Sequence, residues 1–178
     1  INVDATRQLA RAARSARVKR FVLMSSIRAQ VGVTHPDIVT EETPAAPTDA
    51  YGRSKLEAEK VMAAALEGSS TRWTVLRPVL VYGPGVKGNM AALMRIAGLP
   101  VPLPFGALKA RRSLVSIDNL ISAVQYVLQT QTAENTAFIV ADRDALTMAD
   151  IIRALRRGMG RSQLLLPVPD SSLAGLLR

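Results

Sequence analysis

Apolar positions along the chain fall into two alternating patterns. Short, nearly continuous runs at Lys19–Ser26, Trp73–Leu80 and Thr136–Asp142 read as strands, and Phe and Val in the first suggest a buried parallel one. Between and around them lie stretches with helical spacing. The opening residues place Val3, Leu9, Ala10, Ala13 and Ala16 on one face. A second helix runs from Tyr51 to about Glu67, capped by Thr48 or Asp49 and stopped by Gly68. A third begins near Asn89 and ends at Gly98. The fourth has Asp118 as its cap and Leu120, Ile121, Val124, Val127 and Leu128 on its apolar face. The fifth starts at Thr147, runs through Ile151, Ile152 and Leu155, and closes near Gly158 and Gly160. Strands alternating with helices predict an α/β fold with a parallel sheet.

The connections are equally informative. Leu99–Pro104 carries too many prolines for a central strand, and Leu164–Pro169 reads as a final extended segment. The stretch from Ser26 to Tyr51 contains Pro36, Pro44 and Pro47 and predicts a long loop, of the kind that is usually functional when ordered.

Composition narrows the classes. The 178 residues are one domain's worth of chain, with 48% hydrophobic residues to form a core. With no cysteine, disulfides and thiolate metal sites are excluded, in agreement with a reducing, cytoplasmic compartment. The single histidine, His35, lies in the proline-bearing loop, so no histidine-based metal cluster is available. No apolar run approaches the roughly 20 residues of a membrane span. The net charge of +9 comes mainly from arginine, as in the run from Arg7 through Arg11 and Arg14 to Arg17. With three Phe, three Tyr and one Trp, no aromatic platform is interleaved with those charges. This argues against single-stranded nucleic acid and leaves a solvated helix face, with mild attraction for an anionic substrate.

The candidate chemistry lies in Tyr51-Gly-Arg-Ser-Lys55, read together with Ser25-Ser26. Tyr51 and Lys55 are one helical turn apart and share a face. A neighbouring ammonium favours the charged form of a phenol, which fits Tyr51 for proton exchange. Ser25 and Ser26 end a strand, where open α/β sheets place their ligand crevice.

The runs Phe21–Ser26, Tyr51-x-x-x-Lys55 and Leu76-Arg-Pro-Val-Leu-Val-Tyr-Gly-Pro-Gly85 resemble the extended short-chain dehydrogenase/reductases. Within these the resemblance is greatest to nucleotide-sugar 4-epimerases, 4,6-dehydratases and 4-keto-reductases. It implies that Ser26 hydrogen-bonds the reacting sugar oxygen, with Ser25 able to share that role. Tyr51 is then the general acid/base, and Lys55 the ribose-binding cation that tunes it. Tyr51, Lys55 and Pro78 would line NAD or NADP, and Ser26, Arg28, Asn89 and Arg112 the substrate. Arg28 either faces the sugar or is simply exposed, and Arg112 either grips a diphosphate or forms a surface ion pair or cap. Tyr82 and Tyr126 read as packing residues.

The fold so implied is a partial Rossmann-like parallel sheet over residues 1–83, with a small C-terminal substrate-binding subdomain over 84–178. Residues of about 114–130 return to the Rossmann part. The N-terminal cofactor half is expected to lie outside these residues, so that the chain alone would be inactive and poorly folded. Gly83-Pro-Gly85-Val-Lys-Gly88 matches a dinucleotide fingerprint literally. No acidic residue follows at the required distance, and the family pattern puts this loop on the substrate side.

The sequence departs from galactose-epimerase-like members at Leu80, where those tend to carry Asn. The Gly-Pro-Gly-Val-Lys-Gly-Asn89 and Arg111-Arg112-Ser-Leu-Val115 runs resemble enzymes acting on N-acetylated UDP-sugars. Ile27-Arg28 is not the Asp-Glu pair of a 4,6-dehydratase. The resemblance therefore implies a nucleotide-sugar 4-epimerase or 4-keto-reductase and admits a homodimer. The rival is a non-catalytic relative that binds a nucleotide and regulates or scaffolds. The presence of Ser26, Tyr51 and Lys55 together argues for the enzyme.

Overall fold

The computed structural model describes residues 2–85 and 88–168. These form two compact units, one of Ile1–Val79 with Asp118–Ala141, the other of Leu80–Ile117 with Asp142–Arg178. The division falls at residue 79 rather than 83. The returning stretch is 118–141 rather than about 114–130, because a strand at its end completes the sheet of the first unit.

In the first unit, helix α1 (Asn2–Ser15) leads to strand β1 (Arg20–Met24) and a short 3₁₀ turn (Ile27–Ala29). Helix α2 (Ala50–Leu66) then leads to strand β2 (Arg72–Pro78). The sheet order is β1-β2-β6, all parallel, where β6 is Thr136–Val140. Phe21 is opposite Trp73, Leu23 opposite Val75, and Leu76 opposite Phe138.

Because side chains alternate across a strand, one face carries Phe21, Leu23, Trp73 and Val75. These pack with Ala10 of α1 and with Met62 and Leu66 of α2. The other face carries Val22, Leu76, Phe138 and Val140 and packs on Val124 and Val127 of helix α4 (Ile117–Gln129). The result is a parallel sheet buried on both faces, the arrangement such sheets require. The predicted α/β class is the observed one.

The second unit holds strand β3 (Leu80–Tyr82), helix α3 (Gly88–Ala97), and strands β4 (Arg111–Arg112) and β5 (Leu114–Ser116). It ends with strand β7 (Leu146–Thr147) and helix α5 (Met148–Gly158). β3 pairs parallel with β5, and β4 antiparallel with β7. Its core joins Ala97, Leu103, Ala149, Ile152 and Leu165. Arg156 is buried and donates to the carbonyls of Ala97 (3.4 Å) and Leu99 (3.2 Å), satisfying the open end of α3.

Several expectations change. The run Trp73–Leu80 is not one strand. β2 stops at Pro78, Val79 donates to the Val140 carbonyl (3.1 Å), and Leu80 pairs into a different sheet. Asp118 lies inside the first turn of α4 rather than capping it. In α1, Thr6 is buried and Leu9 is exposed, so the apolar face is centred on Ala10 and Ala13. Ile121 and Leu128 are exposed on α4, and Tyr126 is exposed rather than packed. Arg111–Arg112 and Leu114–Ser116 form strands too short to show a period. The fifth helix begins where predicted, with Thr147 as its cap, the hydroxyl accepting from Asp150 N–H (3.1 Å). Of the final extended segment, Pro169 lies outside the described residues; Leu165 bridges to Leu103.

Met62, fully buried between α1 and the sheet, tests this packing. Met62→Ala is expected to destabilise the protein by about 2–5 kcal/mol. The check is a lower urea midpoint with an unchanged slope.

Candidate active site

The carboxyl end of β1 turns sharply. Ser25 still belongs to the sheet, donating its N–H to the Leu76 carbonyl at 2.8 Å. Ser26 is extended (φ −162°, ψ 151°) and caps the 3₁₀ turn, its hydroxyl accepting from the Arg28 N–H at 3.2 Å. A capping hydroxyl is the local reason for a serine at the end of an apolar strand.

Helix α2 starts beside this turn. Asp49 is its cap, one carboxylate oxygen accepting from the Gly52 N–H at 2.7 Å and the other paired with the Arg28 guanidinium. Those contacts hold the Asp49 carboxyl below its ordinary value of 3.8, with the Gly52 N–H as the largest cause and Arg28 next. Gly52 is what permits the approach: a Cβ there would lie 2.1 Å from the Arg28 carbonyl oxygen and 3.0 Å from Pro47 Cβ. Any other residue would push α2 off the turn.

Tyr51, the second residue of α2, is half exposed. Lys55, one turn on, places its Nζ 5.9 Å from the Tyr51 ring centroid and donates to the Met24 carbonyl at 3.0 Å. Lys55 therefore reaches the chain two residues before Ser26, and Asp49 reaches it two residues after. The first unit thus gathers Ser26, Tyr51 and Lys55 around one strand end. Tyr51 offers a hydroxyl at an exposed site, and Lys55 keeps two further N–H donors for a ligand.

The other expected residues fall differently. Arg28 is half-buried and bound to Asp49, which is a third outcome beside facing the sugar or simple exposure. Pro78 is buried at the end of β2, opposite Val140. Arg112 sits in β4 of the second unit, opposite Leu146 of β7. Asn89 lies in the first turn of α3, and the role expected of its side chain is outside what the structure describes, as are Val86 and Lys87 of the glycine-rich loop.

Three residues with no role assigned from sequence also stand beside the site. Glu59, one turn beyond Lys55, accepts from the Ser25 hydroxyl and pairs with Arg77, which also reaches Gln30. The available signal was Arg77 itself, a charge following the apolar pair Val75-Leu76 within the strand, which requires a buried partner. Among the described residues no cluster of His, Asp and Glu could hold a metal, and no helix is long and apolar enough to cross a membrane.

The model of the NAD dependent epimerase/dehydratase family matches residues 1–141. The chain belongs to that family. Among its epimerase/dehydratase relatives, a UDP-glucose 4-epimerase of Vibrio cholerae is 39% identical over 171 residues, 95% of this chain and 52% of that protein. An N-acetyl-α-D-glucosaminyl-diphospho-ditrans,octacis-undecaprenol 4-epimerase of Escherichia coli O157:H7 is 27% identical over 98% of this chain and 54% of its own length. The chain thus spans about half the length of these curated relatives. In fold it is similar to UDP-glucuronic acid 4-epimerase from Bacillus cereus in complex with NAD (TM-score 0.78, 22% identity, 93% of this chain and 55% of that one). It is similar also to UDP-glucose 4-epimerase from Thermotoga maritima with UDP-glucose (TM-score 0.76, 21% identity, 94% and 56%). The parallel sheet is thus Rossmann-like.

Asp49 gives a test of how α2 is held. Its carboxyl is held down in the folded protein, so its contribution is present above about pH 3.8 and lost as pH falls through the lower folded value. Asp49→Asn is therefore expected to be less stable than the parent at neutral pH, with the gap closing below pH 3.8. Urea midpoints measured across that range check it, and a pH-independent gap would contradict it.

Proposed function

We propose that this chain carries the acid–base site of an NAD-dependent nucleotide-sugar 4-epimerase acting on a UDP-N-acetylhexosamine type of substrate. The observation that carries the reading is Lys55, bonded to the Met24 carbonyl two residues before Ser26 and lying beside the Tyr51 ring. Both curated relatives described above are named as 4-epimerases, one for UDP-glucose and one for an N-acetylglucosaminyl-diphospho-undecaprenol, so the UDP carrier is supported by the first and the N-acetylated sugar by the second. The similar UDP-glucuronic acid 4-epimerase from Bacillus cereus is a complex with NAD.

The residues present fit that cofactor. Lys55, with its remaining N–H donors, and the exposed Tyr51 hydroxyl would hold a ribose, and the buried Pro78 would back the nicotinamide side. When bound, the nicotinamide supplies a reversible acceptor for hydride. The chain's own groups do the rest. The Tyr51 oxygen takes the proton of the sugar's 4-hydroxyl while C4–H leaves as hydride, so the C4–O bond becomes a carbonyl. The Ser26 hydroxyl donates to that oxygen and orients it. The Lys55 ammonium steadies negative charge on the Tyr51 oxygen. Once the ketone has turned its other face to the hydride donor, Tyr51 would return the proton to the sugar oxygen as the C4–H bond re-forms, which completes inversion. In this reading Ser26, Tyr51 and Lys55 supply the chemistry, and the Arg112 guanidinium is the group for a nucleotide diphosphate. A guanidinium suits that task because it can bind two oxygens at once.

Tyr51→Phe is expected to lower turnover by about 10²–10⁴ while leaving the fold and NAD binding intact. Turnover within twofold of the parent would remove Tyr51 from the mechanism. Arg112→Ala is expected to weaken UDP-sugar binding far more than binding of the free sugar. Calorimetry with both ligands decides it, and equal losses would make Arg112 structural.

A further inference from the structure

One side-chain network in the first unit exceeds what packing requires. Glu59 is buried on α2, one turn beyond Lys55 and two beyond Tyr51. Its Oε1 accepts from the Ser25 hydroxyl and from Arg77 Nε (3.1 Å), and its Oε2 from Arg77 Nη2 (2.6 Å). The third arm of the Arg77 fork, Nη1, donates to Gln30 Oε1 at 3.1 Å. Gln30 is fully buried, and its amide donates to the carbonyls of Thr40 (2.6 Å) and Thr43 (2.7 Å). Its own carbonyl accepts from the Ala46 N–H (2.8 Å), and its own N–H closes the 3₁₀ turn on Ile27 (2.9 Å). Among the described residues no buried side-chain polar atom lacks a partner.

A buried ion pair gives little stability over a well-packed apolar pair of the same volume. A fully satisfied one does fix directions, because the arginine fork and the carboxylate accept only narrow geometries. Here the directions converge on one residue. Ser25, immediately before Ser26, is held by Glu59, and Gln30, four residues after it, is held by Arg77. Glu59 in turn belongs to the helix that carries Tyr51 and Lys55.

We propose that Glu59 and Arg77, with Gln30, are positioning residues that lock the register of the Tyr51–Lys55 helix against the Ser26 turn and clamp the proline-bearing loop at Thr40–Ala46. The functional part rests on the reading of Ser26 and Tyr51 as the acid–base site. The structural part does not.

The test compares the full-length parent with the double variant Glu59→Met/Arg77→Met, which removes both charges and keeps the volume. Thermal melting is expected to fall only modestly, since no charge is left buried alone, although the Ser25 hydroxyl and the Gln30 side-chain carbonyl lose their partners. Amide hydrogen exchange at Ala29, Gln30, Val31 and Ala46 is expected to accelerate about tenfold or more, with Val75 and Leu76 still protected. Turnover of UDP-sugar is expected to fall about 10- to 100-fold with little change in KM, the usual effect of a small misplacement of reacting groups.

Parent-like exchange at the four amides, or turnover within twofold of the parent in a folded double variant, would overturn the proposal. If the double variant does not fold, Gln30→Leu decides. It leaves the Ser25–Glu59–Arg77 bonds in place and is expected to speed exchange at Val31 and Ala46 and lower turnover, and parent-like values for both would overturn the proposal. Exchange is read without substrate. A parent that turns over no nucleotide sugar therefore refutes the proposed function, while the amides still decide the network.

Discussion

Helix α2 meets the turn after β1 at a distance that only a glycine allows. Gly52 lies directly against the Arg28 carbonyl, and everything at the candidate site depends on that approach. With α2 so placed, Lys55 reaches Met24, Asp49 reaches both Arg28 and the Gly52 N–H, and Glu59 reaches Ser25. Moved outward by the width of a methyl group, the helix would lose several of these bonds together, since a hydrogen bond weakens steeply outside its narrow distance range.

These contacts divide by environment. Asp49 and Lys55 lie where water competes, so their bonds orient the helix start more than they stabilise it. Glu59, Arg77 and Gln30 are shielded, and in that setting geometry is enforced strongly and an unmet partner is costly. Below them the apolar layer of Ala10, Met62, Leu66 and Val75 supplies the non-directional burial that holds helices to sheet. The division of labour is therefore between a core that holds α2 on the sheet and a polar network that sets its register.

The family membership and the local geometry bear on different questions. The family match over residues 1–141 and the similar folds account for the parallel sheet. The diphosphate contact proposed for Arg112 belongs to the second unit, outside that sheet. A shared fold carries many substrates, and specificity follows from such grafted sites.

Much of this was legible in the residues. The strand-and-helix alternation, the helix start at Thr147, the Tyr51/Lys55 spacing and the strand-end hydroxyls each depend on neighbours a few residues away, and local chemistry is what sequence pattern records. Other features were decided only by the tertiary structure. The break between Pro78 and Leu80 depends on which strands stand alongside, Val140 for one and Leu114 for the other. Exposure of Leu9 and Tyr126 depends on which helix face meets a neighbour, which periodicity narrows without fixing. The Ser25–Glu59–Arg77–Gln30 network joins residues up to 47 positions apart. An arginine deep in a mainly apolar strand, as Arg77 is, announces that a partner must exist, because an unpaired buried charge is prohibitive. Only the packing of α2 on the sheet names that partner as Glu59.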